Sequence, residues 1–191
     1  MTDLFGTAPL SGFVTAPDLV SSEEARDLIA NIDATALKPF RFQGWAGKRL
    51  TSSFGWNYDF DTQAVAPADP MPGWLLAVRR KMADFAGIEP ERLIQALLIR
   101  YDPGAGIGWH RDRPIYEHII GLSLGAAAHM RFRRRRPQGG FDRRVAPLSP
   151  RAAYHLSGEA RYGWEHSIVE MTETRWSITF RSPSARWREH Y

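Results

Sequence analysis

GWHRD places His110 and Asp112 two positions apart, and His166 follows in RYGWEHSI. Two histidines and one carboxylate form a facial ligand set for iron(II), which leaves coordination positions open for oxygen and a second substrate. Further on, the segment RWSITFR runs from Arg175 to Arg181. An arginine offers a planar fork of donors that fits a carboxylate bidentately. Together these residues point to non-haem iron chemistry with a dicarboxylate co-substrate. The other histidines (His118, His129, His155 and His190) have no carboxylate two residues on and no matching downstream partner.

Such side chains need strands to aim them. A strand puts residues i and i+2 on one face, so His110 and Asp112 are expected to point together from one strand end. His166 must arrive from another strand. In RWSITFR, Arg175, Ser177, Thr179 and Arg181 share one face, while Trp176, Ile178 and Phe180 share the other. An arginine turned into a barrel is costly unless an anion pairs with it. A bound 2-oxoglutarate would be that anion, and Tyr101, ending LLIRY, would offer a hydroxyl to its distal carboxylate. The competing reading is an edge strand whose polar face is simply wet.

The rest of the chain is read as scaffold. Residues 1–12 look like a loose leader. Ser21 or Ser22 ahead of EEARDLIANI starts a capped helix with apolar spacing at Ala25, Leu28, Ile29 and Ile32. The aromatic stretch Phe40, Phe42, Trp45, Phe54, Trp56, Tyr58 and Phe60 has no helical period and reads as short strands and loops. A second helix is expected over Gly73 to Ala86. From Leu97 onward the pattern becomes LLIRY, IGWHRD, HIIGLSLG, HMRFRRR, RRVAPLS, RAAYHLS, YGWEHSI and RWSITFR. Many short strands at even spacing suggest a sandwich or barrel.

At 191 residues, 43% hydrophobic and 12% aromatic, the chain is long enough for one domain with a real core. With no cysteine there is neither a disulfide nor a thiolate metal site, so a metal must use histidine and carboxylate. No run approaches the ~18 apolar residues of a membrane span, and a soluble, cytoplasmic monomer is expected. The net charge of +4 is uneven. Between Met130 and Ser157, Asp142 is the only acid among Arg131, Arg133, Arg134, Arg135, Arg136, Arg143, Arg144 and Arg151. That is the footprint of a polyanionic partner such as nucleic acid, with Arg134 and Arg135 as candidate contacts. A solvated hairpin with no partner is the plainer alternative.

RYDPGAGIGWHRD, GLSLG, RYGWEHSI and RWSITFR, in that order, resemble the AlkB-like family of Fe(II)/2-oxoglutarate dioxygenases. The resemblance is strong over about Leu97 to Ser182 and weak over Phe40 to Phe60. It implies an α+β, mainly β fold: a double-stranded β-helix, or jelly roll, with two N-terminal buttressing helices. The whole chain, 1–191, would be one domain, with a substrate-recognition lid at 36–60 and the catalytic core at 95–183. It further implies Fe(II) on His110, Asp112 and His166, and 2-oxoglutarate held by Tyr101, Arg175 and Arg181, with Ser177 on the same strand face. Alkylated nucleic-acid bases would be oxidatively demethylated with O2, releasing formaldehyde, succinate and CO2. Trp45, Trp56, Tyr58 and Trp109 are candidates to stack a flipped base, although core packing is the commoner role of any one aromatic. Two departures stand out. Ile99 replaces the asparagine that well-known repair members carry before the co-substrate tyrosine, and Pro114 replaces an acid used in reading the base. The alternatives are a dioxygenase of a protein side chain or small molecule, and a non-catalytic nucleic-acid-binding module.

Overall fold

Period-two runs bounded by turn residues become strands, and the computed structural model shows thirteen of them among the described residues, which are 10–42, 45–58 and 65–189. They are β1 (Phe13–Ala16), β2 (Lys38–Phe42), β3 (Trp45–Phe54), β4 (Trp56–Tyr58), β5 (Val65–Pro67), β6 (Gln95–Tyr101), β7 (Ile107–His110), β8 (Tyr116–Gly125), β9 (Ala128–Arg135), β10 (Phe141–Leu148), β11 (Ala153–Leu156), β12 (Glu165–Ile168) and β13 (Arg175–Pro183). Three α-helices accompany them: α1 (Ser22–Asp33), α2 (Gly73–Ala86) and the short α3 (Gly158–Tyr162).

β1-β11-β8-β13-β6-β3-β2 form one antiparallel sheet and β10-β9-β12-β7 a second. Strands β6 to β13 pass back and forth between the two sheets in the manner of a jelly roll, with β9 and β10 a hairpin within the small one. Both faces of the large sheet are buried, so its strands read as apolar runs. On one face Leu98, Ile120, Leu122, Ile178 and Phe180 pack against Leu28 and Ile32 of α1 and Leu75, Val78 and Met82 of α2. On the other, Ile99, Tyr101, Ile119 and Tyr154 meet Met130, Phe132 and Ile168 of the small sheet. The two N-terminal helices therefore buttress the roll from outside, as expected.

Local chemistry sets the element ends. Ser21 caps α1: its hydroxyl accepts from the Glu24 amide at 3.1 Å, while the Glu24 carboxylate accepts from the Ser21 amide at 2.8 Å. Gly87, at φ 66°, closes α2 in the left-handed conformation that a side chain would resist.

Within 38–54, Leu50–Phe54 pairs with Ala96–Arg100, so β3 and β2 extend the large sheet. A backbone edge left open at β6 is thereby satisfied. Directly after the expected leader, Phe13 to Ala16 pair with Leu156 to Ala153 as β1. Residues 1–9, Phe60 and the side chain of Trp45 lie outside the described part. One expectation is corrected here: Asp112 is not on a strand, since β7 ends at His110 and the loop beyond carries the aspartate.

Candidate metal centre and co-substrate pocket

The small sheet brings the two histidines together. β7 and β12 pair with His110 directly opposite His166, and their rings lie 4.3 Å apart, centre to centre. The loop after β7 turns Asp112 inward beside them, its Oδ2 lying 3.5 Å from His166 Nε2. Ligand atoms of His110, Asp112 and His166 all lie within 4.8 Å of one another, the one such group of histidine and acidic residues among the described residues. Nδ1 of His110 is 2.9 Å from the Gly108 carbonyl. If it carries the proton it donates there, leaving Nε2 with its lone pair for a metal.

Electrostatics keep all three in the ligand state. Burial, then the nearby His110, holds the His166 imidazole neutral, with its pKa lowered to about 3. Burial likewise lowers that of His110. Burial by itself would raise the pKa of Asp112, but its charged neighbours, Arg181 foremost, outweigh it and keep the carboxylate ionised. Neutral imidazoles and a carboxylate are the donor set iron(II) takes.

Arg181 sits differently from its expected role. Its Nε and one terminal nitrogen donate to Asp112 Oδ1 at 3.0 and 2.9 Å, and the other terminal nitrogen donates to Gln95 Oε1 at 3.1 Å. With Oδ1 engaged, Oδ2 is the oxygen turned toward His166. Arg181 thus supports the metal carboxylate, with each of its three nitrogens already engaged by a protein oxygen.

Arg175 is the opposite case. It is fully buried, donates through Nε to Ser123 Oγ at 3.1 Å, and leaves both terminal nitrogens buried with no partner. Leaving buried charged donors unmet costs several kcal/mol, which a bound carboxylate would relieve. Tyr101 lies opposite Arg175 in register, and the guanidinium stands 5.2 Å from its ring centre. Ser177 and Thr179 line the same interior face, 1% and 3% exposed. The residues present therefore fit both groups: a metal on the triad and a dicarboxylate on Arg175.

Of the aromatics, Tyr58 sits near the metal loop, with Arg113 4.5 Å over its ring. Trp56 instead packs edge-on against Trp187 at 5.2 Å. Trp109 alternates with His110 and so lies on the outer face of the small sheet, between Arg131 and Arg133 at 5.1 and 4.6 Å, away from the metal. Nor are the hairpin arginines left without internal partners. Arg133 pairs with Glu165 at 2.6 Å, Arg134 with Glu159 at 2.5 Å and Asp142 at 3.3 Å, and Arg151 with Asp18 at 2.5 Å. Those acids come mostly from outside the stretch, which its local composition could not reveal. Arg135 and Arg143 have no carboxylate among the described residues and stack instead over Phe141, at 5.4 and 5.6 Å.

Several site residues carry no local signal in the chain. Arg161, 3% exposed, donates to the carbonyls of Arg113 and Tyr116, pinning the loop that carries Asp112. Arg49 of β3 comes within electrostatic reach of Tyr101, Arg181 and Asp112. Its only mark in the sequence is one arginine in a polar run.

A jelly roll that carries a histidine-aspartate-histidine triad and, on its interior face, a buried arginine with two unmet terminal nitrogens defines a class: iron-dependent oxygenases with an oxo-dicarboxylate co-substrate. The sequence profile of the 2OG-Fe(II) oxygenase superfamily matches residues 12–181, and the chain belongs to that family as an AlkB-like Fe(II)/2-oxoglutarate dioxygenase. It is 29% identical over 164 residues to the tRNA (carboxymethyluridine(34)-5-O)-methyltransferase ALKBH8 of Mus musculus, covering 83% of this chain but 24% of that protein. The chain thus spans about a quarter of that relative's length. The solved structure of OsALKBH1 superposes with a TM-score of 0.70 at 13% identity, covering 92% of this chain and 99% of that one. A Pseudomonas putida prolyl-4-hydroxylase gives 0.60 at 14%, covering 91% and 94%. At those identities the two structures speak to the fold.

Proposed function

We propose that the protein oxidatively demethylates alkylated bases of nucleic acid, with His110, Asp112 and His166 holding Fe(II). The observation that carries the nucleic-acid part is the outer face of the small sheet. There Arg131, Arg133, Arg135 and Arg143 interleave with Trp109 and Phe141, with Glu165 set against Arg133. Arg133 and Arg143 stand directly opposite in register, a like-charge pairing that destabilises a hairpin. A phosphate backbone would relieve that repulsion. The ALKBH8 relative, a tRNA methyltransferase by name, points the same way.

When bound, iron and 2-oxoglutarate supply O2 activation, with succinate and CO2 as by-products, and the protein's share is positioning. A metal held by these three ligands alone would keep coordination positions for the 2-oxo acid and O2. Arg175, with Tyr101, takes the distal carboxylate and so fixes the co-substrate's direction. Arg181 holds Asp112 ionised and turned inward. The buried walls keep water from the reacting centre. Oxidation at an N-methyl carbon gives a hemiaminal, which releases formaldehyde.

The test is to incubate the full chain with Fe(II), 2-oxoglutarate and ascorbate on a panel of methylated RNA and DNA oligonucleotides, reading methyl loss by mass and succinate in parallel. Methyl loss with matched succinate is expected. Succinate unaffected by every oligonucleotide, with no methyl lost, overturns the nucleic-acid reading and leaves a protein side chain or small molecule as substrate.

A further inference from the structure

We infer that Tyr154 is a binding residue for the co-substrate, its hydroxyl donating to the distal carboxylate of 2-oxoglutarate beside Arg175; this rests on the pocket proposed above. β11 sets Tyr154 opposite Gly121 of β8. The phenol lies over that glycine so closely that a Cβ at 121 would stand 2.1 Å from its Cζ and 2.3 Å from its Oη. Glycine at 121 is therefore what lets the ring reach across β8 toward β13. There the hydroxyl meets Thr179, and Arg175, Tyr101 and Asp112 all act on it electrostatically. The tyrosine is 6% exposed, on the wall of the roll that also carries Arg175 and Ser177.

A buried phenol needs a partner, and Thr179 supplies one. When the Thr179 hydroxyl donates to the phenol oxygen, the phenol's own proton remains to be given. Burial raises the Tyr154 pKa, so the group keeps that proton at neutral pH. Nearby, the two terminal nitrogens of Arg175 are donors without an acceptor. The residue opposite Ser177 on β6 is Ile99, which brings no hydrogen-bonding group. One carboxylate, with lone pairs for about four hydrogen bonds, would satisfy the guanidinium and the phenol together.

The experiment measures ligand affinity without turnover, by calorimetry on the full chain loaded with Mn(II) in the absence of oxygen. The ligands are 2-oxoglutarate, succinate, and pyruvate as a 2-oxo acid with no distal carboxylate. A hydrogen bond to a charged group sets the expected loss: Tyr154→Phe binds 2-oxoglutarate and succinate about tenfold or more weakly, while Mn(II) and pyruvate affinities stay as in wild type. Unchanged 2-oxoglutarate affinity overturns the inference, and so does an equal loss for pyruvate, which would mean the ring only packs. A wild-type protein that binds no 2-oxoglutarate overturns the pocket itself, a different outcome. If Tyr154→Phe melts early, 3-fluorotyrosine at 154 keeps the packing. Its fluorine resonance should move with 2-oxoglutarate but not with pyruvate, and an unmoved resonance overturns the assignment.

Discussion

Arg175 and Arg181 lie on one strand face yet do different work, and partner counting separates them. Arg181 has its donors engaged by Asp112 and Gln95, whereas Arg175 holds two buried nitrogens in reserve. Truncating one member of a buried charged pair costs roughly 2–5 kcal/mol. Arg181→Met should therefore weaken Mn(II) binding, because Asp112 loses the charge that orients it. Arg175→Ala should leave Mn(II) affinity alone and raise the 2-oxoglutarate requirement by a factor of about 30 or more. Calorimetry on both variants separates these outcomes, and identical profiles would sink the division of roles. His110→Ala or Asp112→Ala should abolish turnover in a protein that still melts cooperatively, since two ligands cannot hold the facial geometry. Full 2-oxoglutarate turnover in either would remove the triad from the mechanism.

Helix α1 contributes stability far from the chemistry. It lays Ala25, Leu28 and Ile32 onto the back of the large sheet, and its first turn depends on the reciprocal Ser21–Glu24 cap. Lys81 of α2 pairs with that same glutamate, tying the two helices together. Ser21→Ala should cost about 1 kcal/mol, read as a lower urea midpoint with unchanged slope. Metal affinity should not move, because the sheet stands between the helix and the triad. A variant that lost metal binding with its cap would show that the sheet does not insulate the site. The β9–β10 hairpin follows another logic: its register puts arginine opposite arginine, and acids from α3 and β12 relieve only some of them.

Two properties belong to the molecule as a whole. The first is its response to pH. His155, half-buried and 2.9 Å from His118, has its pKa lowered to about 4, and His166 to about 3. In the unfolded chain both take protons near the ordinary value of about 6.5. The unfolded state therefore binds more protons across that window, and stability rises with pH there. The melting temperature of the metal-free protein should fall as pH drops from about 6.5 toward about 4, and His155→Gln should lessen the fall; a flat profile would contradict it. The second is salt. If the arginine face tracks phosphates, oligonucleotide affinity should decline with salt at about −0.7 to −0.9 log units per contact. Reversing Arg135 and Arg143, which have no carboxylate partner among the described residues, should flatten that slope. Binding like wild type would leave the arginines a solubility feature alone.

Much of this protein was legible in the chain because its decisive patterns are local. Alternation in RWSITFR puts Arg175, Ser177 and Thr179 on one side, and a strand has only two sides to offer. Apolar runs between turn residues set out β6 to β13, and Ser21 with Glu24 marks where α1 begins. The order of His110, Asp112, His166 and Arg175 names the chemistry, since few other donor sets suit iron(II) with a dicarboxylate. Pairings across long loops were decided only in three dimensions. Nothing near Arg134 announces Glu159, nothing near Arg113 announces Arg161, and nothing in RAAYHLS says that its tyrosine will lie over Gly121. Whether Arg181 meets a ligand or Asp112, and whether Trp109 faces the metal or the solvent side, depends on strand register and on where β7 stops. Those are set by the packing of two sheets, through contacts between residues far apart in the chain, and local composition holds no record of them.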